Sequence, residues 1–204
     1  MLFHILHLFF LARILGALYF INNIDDKDLV ARSRRSLIGN SVLFLVFFLS
    51  FVIRTLLADG YAVNPETGEV FMEPYKYLTN FIEMPLVLVL FLIGVVLVLF
   101  GIGKSLLKTK FDKGIWFTGI GTVLAVLALL LVAGYNNTAY YPSTNDLQSS
   151  LTLANSCSSQ FTLRVMFYVS FLVPFVLAYI FYAWRSIDIH KISEKEMKDG
   201  GHAY

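Results

Sequence analysis

Met84-Pro85-Leu-Val-Leu-Val-Leu-Phe-Leu-Ile-Gly94-Val-Val-Leu-Val-Leu-Phe-Gly101-Ile-Gly103 contains no charged residue and is rich in Leu and Val. A helix of ~20 apolar residues covers the ~30 Å of bilayer hydrocarbon, where no water is present to satisfy a peptide group outside a helix. The stretch therefore reads as a transmembrane helix. Outward from it, residues 115–135 repeat the pattern, and 36–58 are clean until Arg54. Residues 2–23 are apolar apart from His4, His7, Arg13 and the closing Asn22-Asn23, and 163–185 carry Pro174 near their middle, where proline bends a helix. The expected fold class is all-α membrane: a polytopic transmembrane helical bundle with five predicted spans, a single membrane domain over 1–204, and a cytoplasmic tail at 186–204. These runs are too long for buried strands and lack the alternating polar face of a membrane β-barrel. With 57% hydrophobic and 15% charged residues, an ordinary soluble domain is excluded.

The charges are sorted by side. Basic residues gather at Lys27, Arg32, Arg34 and Arg35, at Lys104, Lys108, Lys110 and Lys113, and at Arg185, Lys191, Lys195 and Lys198. Between the first two groups, residues 59–82 hold Asp59, Glu66, Glu69 and Glu73 with Lys76 as their one cation; residues 134–161 hold no Lys or Arg. Short loops rich in Lys and Arg stay cytoplasmic. The N-terminus is thus expected outside and the tail inside. Each basic group adjoins a span, so membrane retention explains it better than nucleic acid, and no nucleic-acid partner is expected. The first run lacks the basic start and small-residue cleavage site of a secretory signal.

Loop residues carry turn signals. Asn22-Asn23 and Asp25-Asp26 suit turns and N-caps, so a short surface helix is expected in the first inside loop. Asp59-Gly60, Asn64-Pro65, Thr67-Gly68 and Glu73-Pro74 mark successive turns, with a small hairpin over 60–71. Trp116, Tyr135, Tyr182 and Trp184 lie at span ends, where amphipathic rings are best placed.

Few residues invite chemistry. His4 and His7 lie one helical turn apart, a spacing that presents imidazoles to a metal or haem iron, or merely polar groups near the outer interface. Arg13, mid-way along its run, should face protein or water, as an ion-pair partner or in a polar route. Arg54 should snorkel outward beside Asp59, and Arg164 likewise. Glu83, just before Met84-Pro85, suits a helix N-terminus better than proton transfer. Gly94, Gly101, Gly103, Gly119 and Gly121 suit close helix contact. A single cysteine, Cys157, excludes an internal disulfide and a multi-thiolate metal site. No P-loop, Rossmann glycine set or hydrolase elbow is present.

A collinear set of words spans roughly residues 11–204. It comprises Asp59-Gly60-Tyr61, Asn80-Phe81 to Pro85, Ser149-Ser-Leu-Thr-Leu153, Asn155-Ser-Cys-Ser-Ser159-Gln160, Thr162-Leu163, Met166, Pro174-Phe-Val-Leu177-Ala-Tyr179, Trp184, and Ile192-Ser-Glu-Lys to His202-Ala203-Tyr204. In this it resembles the C-terminal half of subunit II of the cytochrome bd-type quinol oxidases, although the ending is one residue shorter than the family's. Family members are about twice as long, with eight spans. The resemblance therefore implies spans four to eight, either as an N-terminally truncated chain or with the first half on a separate chain.

The resemblance further implies a respiratory quinol:oxygen oxidoreductase of the bacterial cell inner membrane, a heterodimer with a haem-bearing subunit I. Quinol is its substrate, and the b-type and d-type haems are expected in the partner. On that reading this chain binds no cofactor, contributes no catalytic residue and scaffolds the haem subunit within membrane lipids. The alternative is a membrane scaffold or small-solute channel without a redox role; the scarcity of intramembrane acids argues against proton-coupled transport.

Overall fold

The computed structural model describes residues 2–108 and 110–187, with side chains from residue 5 onward. The expected tail at 186–204 lies outside the described residues beyond Ile187, as does the side chain of His4. Five helices among the described residues are long and apolar enough to cross a membrane, making the chain an all-α polytopic membrane protein.

Helix α1 (Leu2–Asn23) and α2 (Lys27–Leu57) form the first pair. The expected surface helix does not stand alone: α2 starts at Lys27 rather than near residue 36, and runs unbroken into the span. Asp26 is the reason, because its carboxylate accepts from the Leu29 amide at 2.8 Å and caps the helix nine residues early. The apolar part of α2 begins only after Arg35, so its first two turns form a polar extension.

Two short strands follow, β1 (Gly60–Val63) and β2 (Val70–Glu73), paired antiparallel from Gly60 with Glu73 to Val63 with Val70. This is the expected hairpin. Asn64 builds its turn, accepting from the Glu66 amide at 2.9 Å, and Gly68 supplies the positive φ of 73°. Both hairpin edges are covered. The Val63 amide donates to the Asn137 carbonyl at 2.8 Å and the Ala139 amide to Tyr61 at 2.9 Å, while the Gln148 amide group exchanges two hydrogen bonds with Val70.

Helix α3 (Lys76–Glu83) leads into α4 (Pro85–Leu107), with Pro85 at the first helical position, where its missing N–H would have had no partner. α4 and α5 (Gly114–Gly134) pack along a seam of small residues. A methyl added at Gly94 would stand 2.6 Å from the Ala125 amide nitrogen, and one at Gly101 would stand 2.8 Å from the Gly114 carbonyl. Gly94, Gly101 and Gly121 thus permit the close contact expected of them; Gly103 and Gly119 face open space, and Gly114 joins the seam in their place. Ile14, Leu18, Leu37, Phe44 and Val98 fill the junction of α1, α2 and α4, while Phe81, Phe91, Ala128 and Val132 fill a second one nearer α3.

After a short 3-10 turn at Leu147–Ser149 and α6 (Leu153–Ser156) comes the fifth span, in two pieces. α7 (Gln160–Ser170) stops and α8 (Val173–Ile187) restarts three residues later. Pro174 has no N–H for the Ser170 carbonyl, and the Phe171 and Leu172 amides tighten onto Tyr168 and Val169 instead. No residue of α7 or α8 is buried.

Candidate functional site

Three polar features punctuate the bundle, one in its interior and one at each end. The interior feature is an apolar cavity of about 110 Å³ between α1, α2, α4 and α5, whose polar lining residues are His7 and Thr122. The His7 ring is buried and stacks on Phe51 with centroids 4.8 Å apart and planes 11° from parallel. Thr122 returns its hydroxyl to the Thr118 carbonyl at 2.8 Å.

His7 and Arg13, both singled out on α1, have different surroundings on α2. The connection between α1 and α2 is tight, so the helices run antiparallel from Asn23 and Lys27, and the last turns of α1 lie against the polar extension of α2. His7 consequently sits beside Phe48 and Phe51, inside the apolar part of α2. Arg13 lines a groove with Arg32, Ser33 and Ser36, where that apolar part begins.

At the basic end, Arg34 closes the C-terminus of α4. Its guanidinium donates to the carbonyls of Ser105, Lys108 at 3.3 Å and Phe111 at 3.2 Å. Helix C-termini leave four carbonyls without helical partners and carry partial negative charge, so a planar cation with several donors suits this position. Lys104 lies over Phe100 and Phe111, 4.8 and 4.6 Å from the ring centroids. In the sequence Arg34 was one of several orientation charges, and nothing nearby in the chain marked the carbonyls it would meet.

At the opposite end, buried Asn80 of α3 donates to the Val132 carbonyl and the Thr138 hydroxyl, both at 2.8 Å, and accepts from Asn136 at 3.1 Å. Glu83, the last residue of α3, accepts from the same Asn136 amide at 2.5 Å and makes no side-chain cap of α4. Asn136 and Asn137 both hold positive φ, 57° and 53°, which asparagine tolerates better than most residues. Close by, buried Lys76 pairs with Glu73 at 3.1 Å. Burial, and to a lesser extent Tyr61, raises the Tyr77 hydroxyl above its ordinary pKa. Arg54 forms no ion pair with Asp59, and Arg164 is exposed on α7.

His7, Arg13 and Glu83 therefore occupy separate places. Among the described residues no three of His, Cys, Asp and Glu gather to hold a metal. The cavity beside His7 is well below the ~300–1,000 Å³ of ordinary ligand pockets and has no room for a haem-sized group.

Comparison with known proteins gives a consistent family. The family described as Cytochrome bd terminal oxidase subunit II matches residues 1–187. Cytochrome bd-I ubiquinol oxidase subunit 2 of Escherichia coli K12 is 32% identical over 136 residues, 66% of this chain and 34% of the relative. The proteins of the same name from Escherichia coli O6:H1 and O157:H7 match to the same extent. The alignment thus spans about a third of the length of these curated relatives.

Proposed function

This chain belongs to the cytochrome bd terminal oxidase subunit II family, and from that premise we propose that it is the non-haem-ligating subunit of a respiratory quinol:oxygen oxidoreductase. In this reading it pairs with a haem-bearing subunit I in the bacterial inner membrane. The partner carries the b-type and d-type haems and the catalytic residues; this chain supplies a helical scaffold against which the haem subunit is held. The basic end, with Arg34 and Lys104, faces the cytoplasm, in keeping with retention of Lys- and Arg-rich loops.

The observation that carries the reading is the family match over residues 1–187, to a chain whose junction of α1, α2 and α4 is filled by side chains. Ile14, Leu18 and Leu37 are fully buried there, and the one described imidazole is stacked on Phe51. A scaffold needs such a packed interior; a haem-ligating subunit needs an open ring-sized slot beside an imidazole.

The test is purification of the assembly through a tag on this chain, followed by an optical spectrum. A d-type haem band that co-purifies is the expected result, with haem content unchanged in His7→Ala. A stable assembly without that band favours the scaffold or channel without redox role. Loss of one haem equivalent in His7→Ala, with assembly intact, makes this chain a cofactor-binding subunit instead.

A further inference from the structure

Arg13 of α1 and Arg32 of α2 are both exposed and reach one groove near the point where α2 turns from polar to apolar, and among the described residues neither has a carboxylate partner. They line one groove of about 380 Å³ with Gly16, Ala17, Ser33 and Ser36. Among the described residues neither guanidinium takes part in a hydrogen bond or an ion pair; Arg13 makes only a cation–π contact, 5.6 Å above Phe9. Asp28, one helical turn before Arg32, stands beyond ion-pair distance of it, and Asp26 is committed to the Leu29 amide. Two unpaired guanidinium groups at the edge of the hydrocarbon call for an anion.

The groove around them has space and donors. A methyl at Gly16 would meet nothing within 4 Å, so the backbone leaves an open floor. The Ser36 hydroxyl accepts from the Asn40 amide at 2.9 Å, which leaves its own O–H to donate outward. Two forked guanidinium groups with a serine hydroxyl form a donor set matched to phosphate oxygens.

From this we infer that the α1–α2 groove holds the phosphodiester of an anionic phospholipid in the leaflet at the basic end. A lipid suits it better than a partner's carboxylate because of depth. The charges lie at the transition from the polar extension to the apolar span, which is where a lipid phosphate sits. Exposed Phe9 and Phe20 beside the groove offer apolar surface for the acyl chains. Basic pockets between transmembrane helices are known to select anionic head groups.

The experiment is native mass spectrometry of the purified, delipidated assembly containing the full chain, titrated with dioleoylphosphatidylglycerol or dioleoylphosphatidylcholine. A preferential phosphatidylglycerol adduct is expected. The joint Arg13→Gln and Arg32→Gln variant should weaken it about thirtyfold, from about fivefold per basic residue near the membrane surface. Arg35→Gln, outside the groove, should leave it unchanged. If the double variant fails to assemble, Gly16→Leu keeps both charges and fills the floor, and the same adduct should be lost. An adduct that survives both changes overturns the proposal. Displacement by millimolar inorganic phosphate assigns the groove to a free anion and overturns the lipid. A photocrosslinker at Gly16 that captures a protein rather than a lipid does the same in favour of a partner chain.

Discussion

Gly94 and Gly121 face each other across the α4–α5 seam with no side chain between them. A methyl on Gly94 would lie 2.8 Å from the Gly121 carbonyl oxygen, and one on Gly121 would lie 2.6 Å from the Gly94 carbonyl oxygen. Each glycine therefore sets how close the other's backbone comes. Lipid tails are as apolar as leucine, so helix association in a bilayer rests on such backbone approach more than on a hydrophobic drive.

Gly94→Leu or Gly121→Leu should push the seam apart and destabilise the bundle by about 1–3 kcal/mol, the usual range for overpacking. The midpoint of detergent-induced unfolding reads this directly. Gly119→Ala is the control, since nothing lies within 4 Å of a methyl there. Equal effects at all three positions would mean that the seam is not what holds these helices.

Asn80→Leu should strand the Val132 carbonyl and take one hydrogen-bond partner each from Thr138 and Asn136. A buried polar group left unpaired costs about 1–3 kcal/mol. Hydrogen exchange in residues 134–139 should accelerate while that of α1 and α2 stays as in the parent protein. Unchanged protection there would show that the asparagine is dispensable to the 134–139 segment.

Arg34→Lys should behave much like Arg34→Gln, because an ammonium lacks the planar fork that reaches three carbonyls. Both variants should raise hydrogen exchange over residues 105–111. Full protection retained by the lysine variant would reduce the role of Arg34 to its charge.

The native thiol at Cys157 is exposed just before α7 and reports sidedness. On intact cells an impermeant maleimide should label Cys157. It should also label a cysteine at Asn145 once Cys157 is replaced by serine. A cysteine at Asp112, in the same background, should react only after permeabilisation. The opposite pattern inverts the topology.

Tyr77 links α3 to pH. Its raised pKa means that the folded protein holds the phenol proton more tightly than the unfolded chain, whose value is near the ordinary 10.0. That contribution to stability is complete below the ordinary value and is lost as pH rises through the folded one. Proteolysis around α3 should therefore increase above about pH 10, and Tyr77→Phe should remove much of that alkaline rise. An identical alkaline profile in the variant would detach the effect from this hydroxyl.

What the sequence determined alone was the membrane character of the chain, its five spans, the turns around Asn64 and Gly68, and the break at Pro174. These follow from local causes: the length of an apolar run, the conformations open to one residue, and a missing N–H. The family likeness was also legible, since it rests on the order of words along the chain. Tertiary structure decided everything that depends on which helices touch and at what level. Ser105 and Arg34 are 71 residues apart, and no local pattern ties an arginine to the carbonyls at the end of a later helix. The surroundings of His7 and Arg13 have the same origin. Phe51 stacks on the one and Arg32 shares a groove with the other, and both stand on α2, so what meets a residue of α1 depends on how two helices align across a tight connection and not on the pattern within either helix.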